Sequence, residues 1–284
     1  MNVLASELEE ALKAEPVDLA ELALTIARLE SPRFDPGPVR REIHRLGQAA
    51  AFELAALGDV PVRDRIRAIN RVLFGPDGFH GDRASYDDIR NSLLHVVMER
   101  RLGIPITLAV LYISVARRAG LEVFGVSFPG HFLLRVPQDA GTEREPPIIL
   151  DPFDRGRELS QGELSTRLQE HVEDGVWSDD WLAPCTSRQV AVRMLNNMKR
   201  LYVGQRCFDQ AWQATDLLVS LEHGNPEQIR DRGLLAYHVD RFPEALADLE
   251  AYVRMSTKAL EDTEQRSQIW EHITSLRRRV AGLN

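Results

Sequence analysis

The stretch GIPITLAVLYISVARRAG at residues 103–120 decides the fold expected for this chain. Apolar residues cover nearly every side of the helix that it would form. Such a helix, in a chain without a membrane-length apolar run, is predicted to be the buried centre of a domain. Pro105 suits the first helical turn, where its missing N–H costs little, and Gly120 suits the position just past the end.

Three short strand patterns follow this helix: EVFGVSF at 122–128, HFLLRV at 131–136 and IILD at 148–151. The polar stretch 138–146 is interpreted as a hairpin loop. Short gaps between consecutive strands favour an antiparallel meander. The prediction is an α+β core, in which a buried helix leads into a small antiparallel sheet.

Helices are predicted before this core as well. Apolar residues recur at helical spacing through residues 4–74, with breaks at Pro and Gly residues. Ser92 is in position to cap a further helix that runs to Leu102. The loop FGPDGFHGDR at 74–83 fits neither GxGxxG nor a Walker motif, so no phosphate site is predicted there.

The C-terminal part contains an internal repeat. Four residues return 34 positions later: Leu201, Phe208, Ala211 and Leu218 correspond to Leu235, Phe242, Ala245 and Tyr252. This period is typical of tetratricopeptide helix pairs, predicted at about 190–221 and 226–256, with a capping helix at about 260–281. A generic helical bundle is the alternative. The expected domains are residues 1–182, the helical segment plus core, and residues 187–284, the repeats.

Composition narrows the function classes. The 284 residues are 44% hydrophobic and 27% charged, as in soluble globular proteins, and the net charge of −8 argues against nucleic-acid or membrane partners. Two cysteines exclude a disulfide scaffold and a four-cysteine zinc site. The first residues lack the basic and apolar regions of a signal peptide. A cytoplasmic protein is therefore expected.

Two polar residues of the predicted sheet could form part of a catalytic site. His131 is predicted to open one strand and Asp151 to end the next, so their side chains could lie close together. An imidazole held by a carboxylate is the base of a nucleophilic triad. The start of the buried helix is where a nucleophilic thiol would lie, because the helix dipole lowers its pKa.

Several motifs closely resemble a bacterial transglutaminase-like family, the SirB-type proteins. They are NS at 91–92, ERRLGIPITL at 99–108, FPGHF at 128–132, DPF at 151–153, RMLNN at 193–197 and DRGLL at 231–235. The resemblance covers about residues 17–256. It implies a papain-like or transglutaminase-like core joined to a tetratricopeptide tail. Regulatory roles have been proposed for the family, and no defined reaction is carried over from it.

The resemblance also implies that the nucleophile is missing. Active relatives have a cysteine at the start of the central helix, followed in the chain by the histidine and the aspartate. Here Pro105 occupies the cysteine position, while His131 and Asp151 match the other two. Cys185, in a connecting segment, and Cys207, at a repeat turn, are poor substitutes.

A pocket is predicted around this remnant dyad. Its assigned residues are Asn91, Ser92, Glu99, Pro105 and Thr107. Structural alternatives are that Asn91 and Ser92 cap a helix, that Glu99 forms ion pairs, and that His131 only fixes the sheet. His95 and Glu99 share a helical face but lack a third ligand, so no metal is predicted, and no cofactor either.

Three functional hypotheses remain. The first is a non-catalytic adaptor that binds a protein or peptide partner through its repeats, in a regulatory role. The second is a hydrolase in which His131 and Asp151 activate water or a substrate hydroxyl. The third is a structural module with an inaccessible dyad. The exposure of His131 and its distance from Asp151 distinguish the first two.

Overall fold

The computed structural model describes residues 3–138, 145–173, 175–255 and 263–281. The chain divides into two compact units. The core unit is Ser6–Met194, and the repeat unit is Leu195–Asn284 together with Met1–Ala5. Within the described ranges, no helix has both the length and the apolar character needed to cross a bilayer.

The N-terminal part is helical, as predicted. Its helices are α1 (Val3–Lys13), α2 (Leu19–Ala27), α3 (Gly37–Leu57) and α4 (Val62–Phe74), followed after a loop by α5 (Leu94–Arg100) and α6 (Pro105–Arg118). Pro and Gly residues separate α2, α3 and α4 where the sequence indicated breaks.

Helix α6 is the buried centre of the core unit. Every residue from Pro105 to Ala116 is buried, and α2, α3, α4 and α5 all pack against the helix. Gly120 has a φ of +78°, and the N–H of Leu121 donates to the carbonyl of Ala116 at 2.9 Å. This is the glycine-based helix ending that the sequence predicted.

A four-stranded antiparallel sheet follows α6. Its strands β3 (Phe124–Val126), β4 (Leu133–Val136), β5 (Ile148–Asp151) and β6 (Arg157–Glu158) are hydrogen-bonded in chain order. The predicted meander is confirmed, and Asp151 ends its strand as expected. The short strand β6 was not predicted. Part of the predicted hairpin loop, residues 139–144, lies outside the described residues.

His131 does not open a strand, so that prediction was wrong. Its N–H donates to the carbonyl of Phe128 at 3.0 Å, and Gly130 has a φ of +69°. These features form a tight turn that holds His131 ahead of β4, which begins only at Leu133.

The segments before α6 also differ from expectation. The loop at 74–83 contains a short strand, β1 (His80–Gly81), which pairs in parallel with β2 (Leu102–Gly103). Ser92 does not cap α5, because it ends a 3₁₀ turn, Ile89–Ser92, that leads directly into the helix; Leu93 is the N-cap and makes no side-chain cap bond.

Helix α7 (Gln161–His171) follows the sheet, and the remaining helices are α8 (Ser187–Gly204), α9 (Phe208–Leu221), α10 (Pro226–His238), α11 (Phe242–Met255) and α12 (Thr263–Ala281). The two predicted helix pairs and the last helix are confirmed. Phe208 and Phe242, 34 residues apart, each begin the second helix of a pair. The small residues of the repeat, Ala211 and Ala245, are fully buried.

Candidate functional site

The structure brings His131 and Asp151 together. His131 Nε2 lies 2.8 Å from Asp151 Oδ1, and the histidine side chain is 18% exposed while the carboxylate is 2% exposed. The turn before β4 and the C-terminal end of β5 lie at the same end of the sheet, because the two strands are antiparallel neighbours. A carboxylate only accepts hydrogen bonds, so Nε2 carries the proton and Nδ1 is the nitrogen left for other chemistry.

Asp151 is fixed by more than the imidazole. Its Oδ1 also accepts the backbone N–H of Phe153 at 3.0 Å, and its Oδ2 lies 2.9 Å from Arg167 Nη1. Burial by itself would raise the pKa of Asp151, but the hydrogen bonds and charges of His131 and Arg167 outweigh it and lower the pKa to about 2. The carboxylate is therefore ionised and held in one orientation.

Arg167 is a member of this cluster that the sequence did not indicate. It lies on α7, whose first turn is set by a capping box between Ser160 and Glu163, and whose Leu164 and Leu168 are buried. The only signal in the sequence is an arginine next to a leucine on an amphipathic helix, which is too common to identify a site.

A series of packing contacts links the dyad to the start of α6. The Phe153 ring meets the His131 ring edge-on, with centroids 6.1 Å apart. Phe153 also packs on Gly81, where any added Cβ would collide with the ring. Gly81 pairs with Gly103, which comes two residues before Pro105. The beginning of α6 and the dyad therefore lie on the same side of the core unit.

The start of α6 offers no nucleophile. Pro105 is the first helical residue, is buried and carries no heteroatom in its side chain. Thr107 is fully buried; its hydroxyl donates to the carbonyl of Asn91 at 2.6 Å and accepts the N–H of Ile104 at 3.3 Å. The hydroxyl is thus committed to closing the helix start.

Comparison with known sequences places the part of the chain that contains this site in a family. The sequence profile described as "Transglutaminase-like superfamily" matches residues 38–196, which contain α6, the dyad and Arg167. The chain belongs to the transglutaminase-like superfamily. A second profile, "Tetratricopeptide repeat", matches residues 198–274.

Relatives of this transglutaminase-like protein occur in bacteria and in animals. A "UPF0162 protein" of Xylella fastidiosa (strain Temecula1) is 37% identical over 245 residues, 85% of either chain. One from Vibrio cholerae is 28% identical over 240 residues, 84% of this chain and 86% of that one. "F-box only protein 21" of Homo sapiens is 31% identical over 185 residues, 62% of this chain and 28% of that one.

Among solved structures, a crystal structure of menin, whose title describes the binding site for the Mixed Lineage Leukemia protein, is similar over 95% of this chain and 74% of that one. The identity is 14% and the TM-score is 0.43.

Asn91 of this transglutaminase-like protein is an internal hub. Its Nδ2 donates to Asp82 at 3.2 Å and to the carbonyl of Ser85 at 2.7 Å, and its Oδ1 accepts from Arg100 at 3.0 Å. Asn91 and Asp82 are both buried. The amide therefore ties the 82–85 loop to the end of α5, and the interpretation of Asn91 as a helix cap was wrong.

The other predicted pocket residues lie in different surroundings. The Ser92 hydroxyl is buried and has no hydrogen-bond partner among the described residues. Glu99 is exposed on α5, where its charge opposes the lowering of the His95 pKa by burial. In the described ranges, none of Asn91, Ser92, Glu99 or Thr107 hydrogen-bonds the His131–Asp151 dyad.

Neither thiol of this transglutaminase-like protein hydrogen-bonds His131 in the part of the chain that the structure describes. The backbone N–H of Cys185 donates to the carbonyl of Gly125 at 2.8 Å. Burial raises the pKa of the Cys185 thiol, and the Ser127 N–H and the charge of Arg193 lower it by smaller amounts. Cys207 directly precedes α9. No cluster of three or more His, Cys, Asp or Glu side chains suited to a metal occurs among the described residues.

Proposed function

We propose that this chain is a SirB-type transglutaminase-like protein that has lost its acyl-transfer nucleophile and acts in the cytoplasm as a regulatory adaptor, binding a protein or peptide partner through its helical repeats. The observation that carries this proposal is Pro105, with its inert side chain at the first position of α6, on the same side of the core unit as His131 and Asp151.

The retained dyad does not by itself require a reaction. Asp151 accepts the Phe153 N–H at the end of β5 and forms an ion pair with Arg167 on α7. Loss of its carboxylate would therefore remove the partner of the Arg167 guanidinium and of the Phe153 N–H. His131 adds one more hydrogen bond to that carboxylate. These structural roles account for both residues without a substrate.

The missing nucleophile is tested by putting it back. The wild-type chain should form no acyl-enzyme with an activated ester and transfer no acyl group from a glutamine-containing peptide to an amine. In Pro105→Cys, the thiol stands at a helix N-terminus on the same side of the core unit as His131, and a helix N-terminus and a neighbouring imidazole both lower a thiol pKa. We expect this variant to form a thioester adduct detectable by mass spectrometry.

The double variant Pro105→Cys/His131→Ala is the matched control, and it should lose most of that reactivity. Turnover of a peptide amide by the wild-type chain, abolished by His131→Ala, would contradict the proposal and favour the hydrolase hypothesis. A Pro105→Cys thiol that reacts equally with and without His131 would show that the dyad does not face the helix start.

The partner site is assigned to the first helix of each pair, α8 and α10. Lys199 on α8 donates to Gln228 at 2.9 Å and lies 3.0 Å from Asp231, both on α10. The two first helices are therefore neighbours joined by a polar network. Stacked repeats of this kind form an extended concave surface suited to a peptide segment.

Identical charge reversals on first and second helices test this assignment. Glu227 is exposed in the first turn of α10, and Glu244 is exposed in the first turn of α11. Proteins captured by the full-length chain should be lost with Glu227→Arg and retained with Glu244→Arg. Loss with both variants, or with neither, would contradict the placement of the partner on the first helices.

A further inference from the structure

A cavity of about 820 Å³ lies in the core unit at the end of α6 opposite to Pro105. It is lined by Ser114 and Arg117 of α6, by residues 121–125 leading into β3, and by Cys185. Ser114 follows Pro105 by nine positions along the helix, which corresponds to about 14 Å. No residue of the His131–Asp151–Arg167 cluster lines the cavity, so it is a separate site.

The edge of the sheet faces this cavity. In an antiparallel ladder, alternate residues direct both backbone groups toward the neighbouring strand or away from it. The Gly125 carbonyl accepts the N–H of Cys185, on the side away from β4. The N–H of Gly125 and the carbonyl of Val123 must therefore also point away from β4, toward the cavity.

These two backbone groups lack a protein partner among the described residues. Gly125 and Val123 are both buried. Buried backbone donors and acceptors are nearly always paired in native proteins. An unpaired N–H and an unpaired carbonyl that border one cavity indicate a ligand that supplies the opposite groups.

The Ser114 hydroxyl at the same cavity is also an unpaired polar group among the described residues. Ser114 is 3% exposed, and its hydroxyl has no hydrogen-bond partner in the described part of the chain. Arg118 donates to the Ser114 carbonyl at 2.8 Å and to Asp18 at 2.8 Å, so that arginine is already engaged. The cavity thus combines a free hydroxyl with two free backbone groups.

We propose that this cavity binds an extended peptide segment of a partner protein, which pairs in parallel with Val123 and Gly125 on the part of the β3 edge that Cys185 leaves unoccupied. A single peptide residue can pair both unpaired backbone groups. In parallel pairing, its N–H donates to the carbonyl of Val123 and its carbonyl accepts the N–H of Gly125. The volume lies within the range of about 300–1,000 Å³ that is usual for ligand sites. Arg117 and Glu122 lie at the cavity and supply charges of both signs for the side chains of the segment.

This site is distinct from the repeat surface proposed above, and the test keeps the two apart. The full-length chain carrying Cys207→Ser has Cys185 as its only thiol, and serine is a good N-cap for α9. A random peptide library displayed on phage is selected on this protein. Enriched peptides are synthesised and tested one at a time.

Two readouts report on the cavity without altering it. A bound peptide should shift the Gly125 amide resonance and slow its hydrogen exchange, and should slow alkylation of Cys185 by N-ethylmaleimide.

N-methylation of the peptide residue that bonds Val123 should weaken binding about tenfold, while N-methylation of its neighbour, whose N–H points away, should not. Ser114→Ala should weaken binding without lowering the melting temperature.

The proposal is overturned if no peptide is enriched, or if the enriched peptides leave the Gly125 amide and the Cys185 alkylation rate unchanged. Peptides that bind but lose affinity only with Glu227→Arg support the repeat surface and overturn this site. Peptides that protect Cys185 and are insensitive to Glu227→Arg support this site, whatever the repeats bind.

Discussion

Arg167 and Asp151 form an ion pair in which Nη1 lies 2.9 Å from the carboxylate oxygen that His131 leaves open, and the carboxylate is only 2% exposed. One buried charge is thus shared between an imidazole and a guanidinium that come from different elements. This cluster joins β5, α7 and the turn before β4, and it makes the charge on Asp151 important for stability.

Acid should destabilise the protein through Asp151. Its pKa falls from the ordinary 3.8 to about 2 in the folded protein, so protonation favours the unfolded chain. The resulting contribution of about 2 kcal/mol to the free energy of unfolding is complete above about pH 5 and is lost as the pH falls through about 2. Urea unfolding at several pH values, for the wild type and Asp151→Asn, measures it. An equally steep acid loss in Asp151→Asn would show that other carboxylates cause it.

Removing Arg167 should cost more than removing a surface arginine nearby. Arg167→Met leaves the Asp151 charge with one partner fewer in a buried position, so we expect a loss of about 1–3 kcal/mol. Arg157 pairs with the exposed Asp154 and Glu163, so Arg157→Met should cost less than about 1 kcal/mol. Thermal unfolding of both variants compares them, and equal losses would refute the structural role of Arg167.

Two adjacent residues should respond oppositely to alanine. Asn91→Ala removes a buried amide and takes one hydrogen bond each from Asp82 and Arg100, which remain paired with each other at 3.2 Å, so we expect a loss of about 1–3 kcal/mol. Ser92→Ala removes a buried hydroxyl that has no partner among the described residues, so stability should stay the same or rise. Chemical denaturation measures both. A destabilised Ser92→Ala variant would reveal a partner for that hydroxyl, such as an internal water.

A methyl group at Gly81 should disturb the dyad through Phe153. An added Cβ there collides with the Phe153 ring, which touches His131, so we expect a loss of about 1–3 kcal/mol and a shift of the His131 ring resonances. Gly162, in the first turn of α7, has open space around it. Gly162→Ala should therefore gain up to about 1 kcal/mol and leave those resonances unchanged. Unchanged His131 resonances in Gly81→Ala would disprove the packing link.

Local signals in the sequence were enough for the main elements. The helix at 105–118 was predictable because its apolar surface is continuous, and its end was predictable because glycine, here Gly120, adopts a positive φ without steric cost. The repeat helices were predictable because small residues such as Ala211 and Ala245 recur where helices pack closely. Strand β6 and helix α7 were not predicted. Strand β6 has only two residues, which are too few to show the alternation of a strand.

The candidate site was only partly predictable. His131 and Asp151 stood out because of their residue types and the strands between them, whereas Arg167 carried no distinguishing feature. Asn91 and Thr107 were identified as important, but the Asn91 side chain bonds Asp82, Ser85 and Arg100, and the Thr107 hydroxyl bonds the backbone of Asn91 and Ile104. Hydrogen bonds between residues distant in sequence leave no periodic trace.

The amino-acid sequence by itself determined the α+β core, the helical repeats and the proline at the start of α6, because periodicity and backbone restrictions act over a few neighbouring residues. The tertiary structure alone decided that Asp151 is shared by His131 and Arg167, that Thr107 is already hydrogen-bonded, and that the β3 edge opens into a cavity. Those relationships depend on which distant segments pack together, and packing is a property of the whole folded chain.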